Sequence, residues 1–335
     1  MAALKFGLGL FPTAPTPDGL RAAVLAEELG FDTVWVADTH LIWRDVYVLL
    51  GAIAGATRRV AIGPGVTHPH IRHTSLTAAA LASLAELAPG RVKLGMGVGD
   101  SGPANMGLPR ASLAQVQRGV GEIRALLRGE AVDSSGTQLR LAYAPGEAVP
   151  VYVAGSSDRT HRFAGRIADG TFVAGAVDEL ALNVAAVREG EREAGRSPGS
   201  VEIVLYTTGN IEPDPALARR AVRGVVARKA INTFGRQDRL GRLDAADREP
   251  YERLRDSYDT HHHMQPIYGD LVPDRWIDRF ALAGTADQVL ARCRQAAADG
   301  ADEIAIVFSG PGLLEQIRRF AEAVIQPLRE TVTVR

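Results

Sequence analysis

Short apolar runs alternate with amphipathic segments along most of the chain. Each run has the length of a strand, and each is followed by apolar positions three or four residues apart, the spacing of an amphipathic helix. The strand-like runs are residues 5–11, 33–37, 60–64, 92–97, 149–154, 170–174, 201–207 and 303–307. The predicted helices are residues 18–29, 46–57, 75–87, 112–127, 158–168, 177–194, 215–228, 285–298 and 313–328.

This order of elements predicts the fold class. Strands that alternate with helices through short connections form a parallel sheet covered by helices, and eight such strands close into a (β/α)8 TIM barrel. We therefore predict an α/β protein with one TIM-barrel domain over residues 1–335. A doubly wound open sheet is the structural alternative.

Two segments interrupt the alternation. Residues 129–149 contain a turn at 132–137 and a short strand at 138–142, which predicts a small hairpin insertion after the fourth unit. Residues 229–275 lie between the seventh and eighth units, and we predict an insertion that covers the site at the C-terminal face of the barrel. A surface excursion that only stabilises the fold is the alternative. The insertion carries several residues to which the sequence assigns no role, among them Tyr251, Tyr258, His261, His262, His263, Met264 and Tyr268.

Composition limits the classes of partner. The chain has 335 residues, 46% of them hydrophobic, and a formal net charge of -1. Scattered charges of both signs predict no nucleic-acid partner and no membrane partner, and no apolar run is long enough to span a bilayer. The single cysteine, Cys293, excludes an internal disulfide and indicates a reducing compartment. Because the chain begins directly on a strand-like run, we predict a cytoplasmic protein.

Small and polar residues gather where successive predicted strands end, and in a (β/α)8 barrel these ends carry the chemistry. The third strand runs into the segment from Gly63 to His73, which contains two glycines, two prolines, a threonine, three histidines and an arginine. Gly65 permits an unusual backbone conformation or a close approach to a flat ligand. We therefore expect a ligand site at this edge of the sheet.

Asp38 and His40 follow the second predicted strand. Extended backbone directs side chains two residues apart the same way, so the Asp38 carboxylate would orient the His40 imidazole. Because imidazole titrates near neutral pH, we predict that His40 is the catalytic proton carrier and that Asp38 is its partner. A histidine satisfied by a neighbouring backbone group is the alternative.

Glycines at two further strand ends are candidate cofactor contacts. Gly97, Val98 and Gly99 end the fourth strand, and this pair of glycines suits a flat ring better than a dinucleotide fingerprint, whose third glycine is misplaced here. Ala174 and Gly175 end the sixth strand in the same way.

Gly155, Ser156 and Ser157 lie between the fifth strand and its helix. Free backbone amides and two hydroxyls at such a position predict a phosphate-binding site. Capping of the helix by Ser157 is the alternative role.

His68 and His70 flank Pro69 on one side of an extended segment. A pair of histidines with this spacing can bind a metal ion. Beyond Asp38 and Asp100, however, the strand ends supply no further set of ligands. We therefore predict no metal, and we assign His68 to cofactor binding.

Four segments, in order along the chain, carry a family resemblance. They are residues 63–67 with Pro69, Arg72 and His73; residues 94–100; residues 153–156 with 164–170; and residues 283–289. Together they resemble the luciferase-like superfamily of flavin- or deazaflavin-dependent oxidoreductases. Within it, they are most similar to the coenzyme F420-dependent methylenetetrahydromethanopterin reductases and their relatives.

The resemblance implies a barrel with an insertion and a ring cofactor at the C-terminal face. It also implies a cis peptide between Gly65 and Val66 behind the ring, with Thr67 in the cofactor lining. His40 matches the position of a histidine that handles a proton in F420-dependent sugar-phosphate dehydrogenases. The chain departs from the family at His68, where members often carry asparagine.

The leading functional hypothesis is an F420-dependent oxidoreductase. It would transfer a hydride between the deazaflavin ring and a C=N, C=C or C=O group of a small organic substrate. The alternative is an FMN-dependent luciferase-like monooxygenase, which uses reduced flavin and O2 and needs a flavin reductase as a partner. A metal-dependent hydrolase and a flavin-binding relative without catalysis are minor alternatives. Because barrel relatives with exposed helix faces often dimerise, we expect a homodimer.

Overall fold

The computed structural model describes residues 3–239, 241–259, 262 and 265–333. The strands are β1 (Lys5–Leu10), β2 (Thr33–Val36), β3 (Ala61–Pro64), β4 (Leu94–Met96), β5 (Val132–Ser134), β6 (Thr137–Leu139), β7 (Val151–Gly155), β8 (Gly170–Val173), β9 (Glu202–Ile211), β10 (Ala281–Gly284) and β11 (Glu303–Phe308). The α-helices are α1 (Thr16–Glu28), α2 (Val46–Ala56), α3 (Thr74–Leu87), α4 (Ser101–Asn105), α5 (Leu113–Leu127), α6 (Asp158–Ile167), α7 (Leu180–Glu193), α8 (Pro215–Arg239), α9 (Ala245–Ser257), α10 (Asp274–Phe280), α11 (Ala286–Ala298), α12 (Leu313–Phe320) and α13 (Gln326–Thr333). A π-helical turn, Ala321–Ile325, separates α12 from α13.

The predicted (β/α)8 barrel is confirmed. The strand order is β3-β2-β1-β11-β9-β8-β7-β4, and the neighbours β1–β2, β2–β3, β4–β7 and β9–β11 pair in parallel. Parallel bridges between Ile62 and Val92 and between Thr67 and Met96 join the two ends of this order. Such closure distinguishes a barrel from the open doubly wound sheet.

One strand of the sheet, β10, was not predicted. It pairs in parallel with the C-terminal end of β9, from Ala281 opposite Thr208 to Gly284 opposite Ile211. Its sequence, Ala-Leu-Ala-Gly, contains no β-branched or aromatic residue, so composition gave no strand signal. Strand β9 continues to Ile211, beyond its predicted end at residue 207, because both β10 and β11 pair with β9.

The predicted hairpin insertion is formed by β5 and β6, which pair antiparallel. The turn is narrower than predicted, because Val132–Ser134 is itself a strand and only Ser135 and Gly136 reverse the chain with positive φ angles of 54° and 84°.

The described part of residues 229–275 is largely helical, since α8 extends to Arg239 and α9 follows it. His262 Nδ1 lies 3.1 Å from Asp259 Oδ2. His261, His263 and Met264 lie outside the described residues.

Contacts between residues divide the chain into two compact units. Unit A comprises Gly7–Phe172 and Ala186–Glu202. Unit B comprises Met1–Phe6, Val173–Ala185 and Ile203–Arg335.

The core of unit A is built around the fully buried Trp35. Its ring packs edge-on against Tyr152 and Phe172, with centroid separations of 5.1 and 4.7 Å. The Lys93 ammonium lies 5.4 Å from the Trp35 ring centroid and 4.8 Å from that of Tyr152, within cation–π range. Beside Trp35, a Cβ added to Gly63 would lie 2.2 Å from the Lys93 carbonyl oxygen. Only glycine therefore lets β3 pass this close to the neighbouring backbone.

A second aromatic core lies in unit B, where the insertion packs against α8 and α10. Phe234 contacts Trp276 and Phe280 at centroid separations of 4.8 and 5.6 Å. Trp276 Nε1 donates a hydrogen bond to Asp247 Oδ1 over 2.7 Å, and Tyr251 is buried in the same cluster. The insertion thus contributes apolar side chains to a packed core.

Candidate active site

Four polar residues follow β2 and β3 in unit A, and we call them the strand-end cluster: Asp38, Thr67, His68 and Arg72. Asp38 is 4% exposed and Thr67 is fully buried. Thr67 Oγ1 donates a hydrogen bond to Asp38 Oδ2 over 2.8 Å, and Arg72 Nε lies 3.6 Å from the same oxygen. The backbone fixes Thr67, because its amide donates to Gly95 O and its carbonyl accepts from Gly97 N.

The charge state of Asp38 depends on opposing influences. Burial raises the pKa of the Asp38 carboxyl above its ordinary value, while the hydrogen bond from Thr67 and the Arg72 guanidinium act against this rise. The net direction is upward. Asp38 is therefore more easily protonated than an exposed aspartate.

Arg72 is held in place by a second acid. Its Nη2 donates to Asp45 Oδ2 over 2.5 Å, and its guanidinium carbon lies 5.0 Å from the Tyr47 ring centroid. Asp45 also caps the N-terminus of α2 by accepting hydrogen bonds from the amides of Tyr47 and Val48. Burial alone would raise the pKa of Asp45, but the bonds from Arg72 and the two amides lower it overall.

The predicted pairing of Asp38 with His40 is not formed. Asp38 Oδ2 is bonded to Thr67, and Asp38 Oδ1 has no hydrogen-bond partner among the described residues. His40 is exposed and lies in a turn rather than in the extended backbone on which the pairing was predicted. The chain leaves its strand conformation after Val36, so the alternation of side chains no longer applies at residue 40.

The Gly65–Val66 peptide is cis, as the resemblance implied. A Cβ added to Gly65 would lie 2.7 Å from Trp35 Cβ, so the close approach at Gly65 is to the protein core. The Val66 side chain instead packs over the next strand, where a Cβ added to Gly95 or Gly97 would lie 3.0 or 3.2 Å from a Val66 methyl group. These glycines therefore make room for Val66.

His68 is 3% exposed, and neither ring nitrogen has a hydrogen-bond partner among the described residues. Its ring lies against the backbone of Gly99 and Gly102, whose added Cβ atoms would lie 3.0 Å from His68 Cγ and 2.5 Å from His68 Nε2. Burial, helped by the charges of His70 and His40, lowers the pKa of His68 to about 4. His68 is thus neutral near pH 7, with one nitrogen able to donate and one able to accept.

A pair of buried hydroxyl groups next to this cluster was missed by sequence reasoning. Thr39 Oγ1 and Ser101 Oγ lie 3.1 Å apart, and both residues are at most 5% exposed. Ser101 begins α4, a five-residue helix that the sequence did not predict. Its Gly and Pro residues concealed the helical spacing.

The predicted phosphate site after β7 is already occupied by its own side chains. The amides of Ser156 and Ser157 both donate to Thr160 Oγ1 over 3.0 Å. Ser157 and Thr160 form a capping box at the start of α6. A Cβ added to Gly155 would lie 2.3 Å from His161 Cδ2, so this glycine accommodates the histidine ring. Capping, the alternative role, is therefore the one that the hydrogen bonds display.

The remaining predicted contacts divide between the two units. Val98 is half-buried in unit A, and its carbonyl accepts a hydrogen bond from Ala111 N. Ala174 and Gly175 follow β8 and belong to unit B, where both are at least half-buried.

The strand-end cluster has the chemistry of a ligand site. Asp38 Oδ1, both nitrogens of His68 and Arg72 Nε are buried without a hydrogen-bond partner among the described residues. Buried polar atoms of folded proteins are nearly always paired, and those that are not often mark a functional position. Asp38 Oδ1 offers an acceptor, Arg72 Nε offers a donor, and the His68 ring can act as either, and groups of these kinds can bind the polar edge of a heterocycle. Within the part of the chain that the structure describes, no group of three or more potential ligands could hold a metal ion.

Fold and site thus define a (β/α)8-barrel protein in which several buried polar atoms at the strand ends have no hydrogen-bond partner among the described residues. The family model for the luciferase-like monooxygenases matches residues 6–303, and the chain belongs to this family.

Curated relatives include the 5,10-methylenetetrahydromethanopterin reductase of Methanolobus tindarius, which is 29% identical over 87% of this chain and 90% of that protein. The F420-dependent glucose-6-phosphate dehydrogenase of Beutenbergia cavernae is 34% identical over 75% of this chain and 83% of that protein.

Solved structures support the fold. The coenzyme F420-dependent tetrahydromethanopterin reductase of Methanopyrus kandleri superposes with a TM-score of 0.81 at 24% identity, covering 98% of this chain and 100% of the other. An F420-dependent secondary alcohol dehydrogenase, in complex with an F420-acetone adduct, superposes with a TM-score of 0.79 at 22% identity over 97% and 99% of the two chains. Among the described residues, no helix is both long and apolar enough to span a bilayer.

Proposed function

We propose that this protein is an F420-dependent oxidoreductase that transfers a hydride between the deazaflavin ring and a C=N, C=C or C=O group of a small organic substrate. The observation that carries the proposal is the set of buried polar atoms on Asp38, His68 and Arg72 that have no partner among the described residues. It lies in a chain whose curated relatives include F420-dependent glucose-6-phosphate dehydrogenases.

The residues proposed to hold the cofactor in unit A lie at or after the ends of β3, β4 and β7. We propose that the backbone at Gly65 and Val66 lies against the cofactor and that His68 supplies a neutral donor and acceptor. Further contacts in unit A are proposed from Thr67, from the backbone of Gly97, Val98 and Gly99, and from Gly155, Ser156 and Ser157. When bound, F420 supplies the hydride chemistry, while the chain supplies position and electrostatics.

Thr67 can act toward a ligand only as an acceptor. Its single hydroxyl proton is donated to Asp38, so Thr67 Oγ1 has only lone pairs left to offer. Asp38 Oδ1 likewise accepts while its carboxyl is ionised. The strand-end cluster therefore favours ligand N–H or O–H groups at these two oxygens.

We assign the proton of the reaction to His40. Its ring is exposed to solvent, as the ring of a proton carrier must be, whereas His68 is buried and stays neutral. Among the described residues, no hydrogen bond joins Asp38 to His40, so we propose Asp38 only as a neighbouring acidic group. His40→Ala should reduce turnover by about 10²–10⁴ without a comparable loss of cofactor affinity. Turnover at the wild-type rate would remove His40 from the mechanism.

The experiment that tests cofactor identity is a titration of the purified protein with F420 and, separately, with FMN, followed by absorbance. We expect saturable binding of F420. Two variants accompany the titration. His68→Asn replaces the proposed cofactor contact by another polar side chain. Gly121→Ala, on the exposed face of α5, is the control and should not change the affinity for F420. Tight binding of FMN without binding of F420 would overturn the proposal.

That second outcome would favour the FMN-dependent monooxygenase. Structural neighbours include the oxygenating constituent of 3,6-diketocamphane monooxygenase, solved with FMN, at a TM-score of 0.70 and 18% identity. This alternative requires reduced flavin, O2 and a flavin reductase as a partner. The relatives are oxidoreductases, which argues against the metal-dependent hydrolase.

We propose a cytoplasmic homodimer formed through the outer faces of α2 and α3. Val48, Leu76 and Leu87 on these helices are 65%, 62% and 56% exposed, and nothing lies within 4 Å of a Cβ added to Gly51 or Gly55. An apolar helix face of this kind favours burial against another surface. Sedimentation equilibrium tests the dimer, and a monomer at all concentrations would refute it.

A further inference from the structure

A second polar group lies in unit B, at the C-terminal ends of β9 and β11. These strands pair in parallel, with Thr208 opposite Val307 and Gly209 opposite Phe308. Phe308 packs edge-on against Phe320 of α12 at 5.6 Å, so this side of the sheet faces the helices. Side chains alternate along a strand, which places Thr208 and Asn210 on the opposite side, away from α12.

The hydroxyl groups at these strand ends have a fixed direction of donation. Thr208 Oγ1 donates to the Val307 carbonyl oxygen over 2.9 Å and lies 2.7 Å from Ser309 Oγ. Because threonine has one hydroxyl proton, Ser309 must be the donor of the second bond. Ser309 Oγ therefore has only lone pairs left to offer.

The Asn210 amide is oriented by the same chain of hydrogen bonds. Asn210 Nδ2 donates to the Ser309 carbonyl oxygen over 2.7 Å, which determines which end of the amide carries the oxygen. Asn210 Oδ1 then has no hydrogen-bond partner among the described residues, although Asn210 is only 2% exposed. A buried carbonyl oxygen without a hydrogen-bond donor destabilises the fold. The unpaired oxygen of the oriented Asn210 amide therefore indicates a ligand.

We propose that Asn210 Oδ1 and Ser309 Oγ form a binding subsite for a hydrogen-bond donor, the hydroxyl or amino group of a substrate. Both free positions are acceptors. Both also lie at the strand ends where barrels of this class bind their substrates. The assignment to a substrate rests on the proposed oxidoreductase function, whereas the preference for a donor follows from the hydrogen bonds alone.

The preference can be tested without knowing the substrate. The chain contains four asparagines, so protein labelled with ¹⁵N only in asparagine side chains gives four pairs of amide signals, one pair for each side chain. The signal lost in Asn210→Leu is that of Asn210. Acetamide, which carries N–H donors, should shift this signal saturably, and N,N-dimethylacetamide, which carries none, should not. Asn183 provides an internal reference. Equal shifts with both compounds, or no saturable shift with acetamide, would overturn the proposal.

Two variants sharpen the test. In Asn210→Leu, the affinity for acetamide measured by saturation transfer should fall about fivefold or more, as expected for one lost hydrogen bond. In Thr208→Val, Ser309 no longer has its acceptor, so its proton becomes free to donate and N,N-dimethylacetamide should now shift the Asn210 signal. Thr171→Val, another buried threonine that donates to a backbone carbonyl, is the matched control and should leave the preference unchanged.

The result is separable from the proposed function. Failure of F420 to bind would remove the oxidoreductase assignment and leave the donor preference intact. Failure of acetamide to discriminate would remove the subsite and leave cofactor binding intact.

Discussion

Replacing Thr67 by valine removes one hydroxyl group from the strand-end cluster and leaves the shape of the side chain nearly unchanged. The lost bond is buried, 2.8 Å long and made to the Asp38 carboxyl. A hydrogen bond to a charged group contributes about 1.5–3 kcal/mol to stability, and a neutral one contributes about 0.5–1.5 kcal/mol. We therefore expect Thr67→Val to lower the free energy of unfolding by about 1.5–3 kcal/mol where Asp38 is ionised.

The loss should depend on pH. Burial raises the pKa of Asp38 in the folded protein, and the Thr67 bond opposes that rise, so the variant raises it further. When folding raises the pKa of a carboxyl group, the folded state loses stability as the pH rises. The loss begins near the pKa of the unfolded state, about 3.9, and is complete above the pKa of the folded state. The difference between wild type and variant is thus smallest when Asp38 is protonated and grows as it ionises.

Urea unfolding of both proteins at about pH 4, close to the unfolded pKa, and at about pH 8 measures how the difference changes with pH. Thr171→Val is the matched control, because Thr171 is equally buried and donates to the neutral Val153 carbonyl oxygen over 2.8 Å. Its loss should be about 1 kcal/mol at both pH values. The reasoning fails if Thr67→Val costs the same at both pH values, or no more than the control at the higher one.

Two further substitutions probe the same region of unit A. Burial lowers the pKa of His68 to about 4 in the folded state, so the free energy of unfolding falls as pH drops below about 6.5. His68→Asn should remove on the order of 2 kcal/mol of that fall between about pH 7 and pH 5, measured by urea unfolding. An unchanged dependence of the unfolding free energy on pH would contradict the burial argument. Gly63→Ala places a methyl group 2.2 Å from the Lys93 carbonyl oxygen and should lower the free energy of unfolding by about 1–3 kcal/mol or prevent folding. Gly121→Ala, in open space on α5, is its control and should raise the free energy of unfolding by about 1 kcal/mol. Thermal unfolding compares the two variants, and equal stabilities would refute the steric argument.

The barrel could be predicted because strand and helix periodicity persists over most of the chain. The cis peptide at Gly65–Val66 was predicted from family resemblance. The bond between Thr67 and Asp38 joins residues that follow two different strands, so it depends on the register of β2 against β3, which no local pattern encodes. His40 was paired with Asp38 on the assumption of extended backbone, and the strand ends before that residue.

Two features of the structure have signals in the sequence. Ser157 and Thr160 are three residues apart at a helix start, the spacing of a capping box, which should have lowered the expectation of free amides. Asn210 and Ser309 were overlooked because the seventh and eighth strands were ended at residues 207 and 307, short of the polar residues that follow. Extending each strand to its next glycine, Gly209 or Gly310, would have brought Thr208 and Ser309 into view.

The self-capped start of α6 has a consequence for the proposed phosphate contact. Thr160 Oγ1 accepts hydrogen bonds from the amides of both Ser156 and Ser157. A phosphate bound at this proposed position would have to replace that oxygen as the acceptor of both amides, so its binding would be an exchange of hydrogen-bond partners. Its affinity would therefore depend on Thr160, a residue that need not touch the ligand.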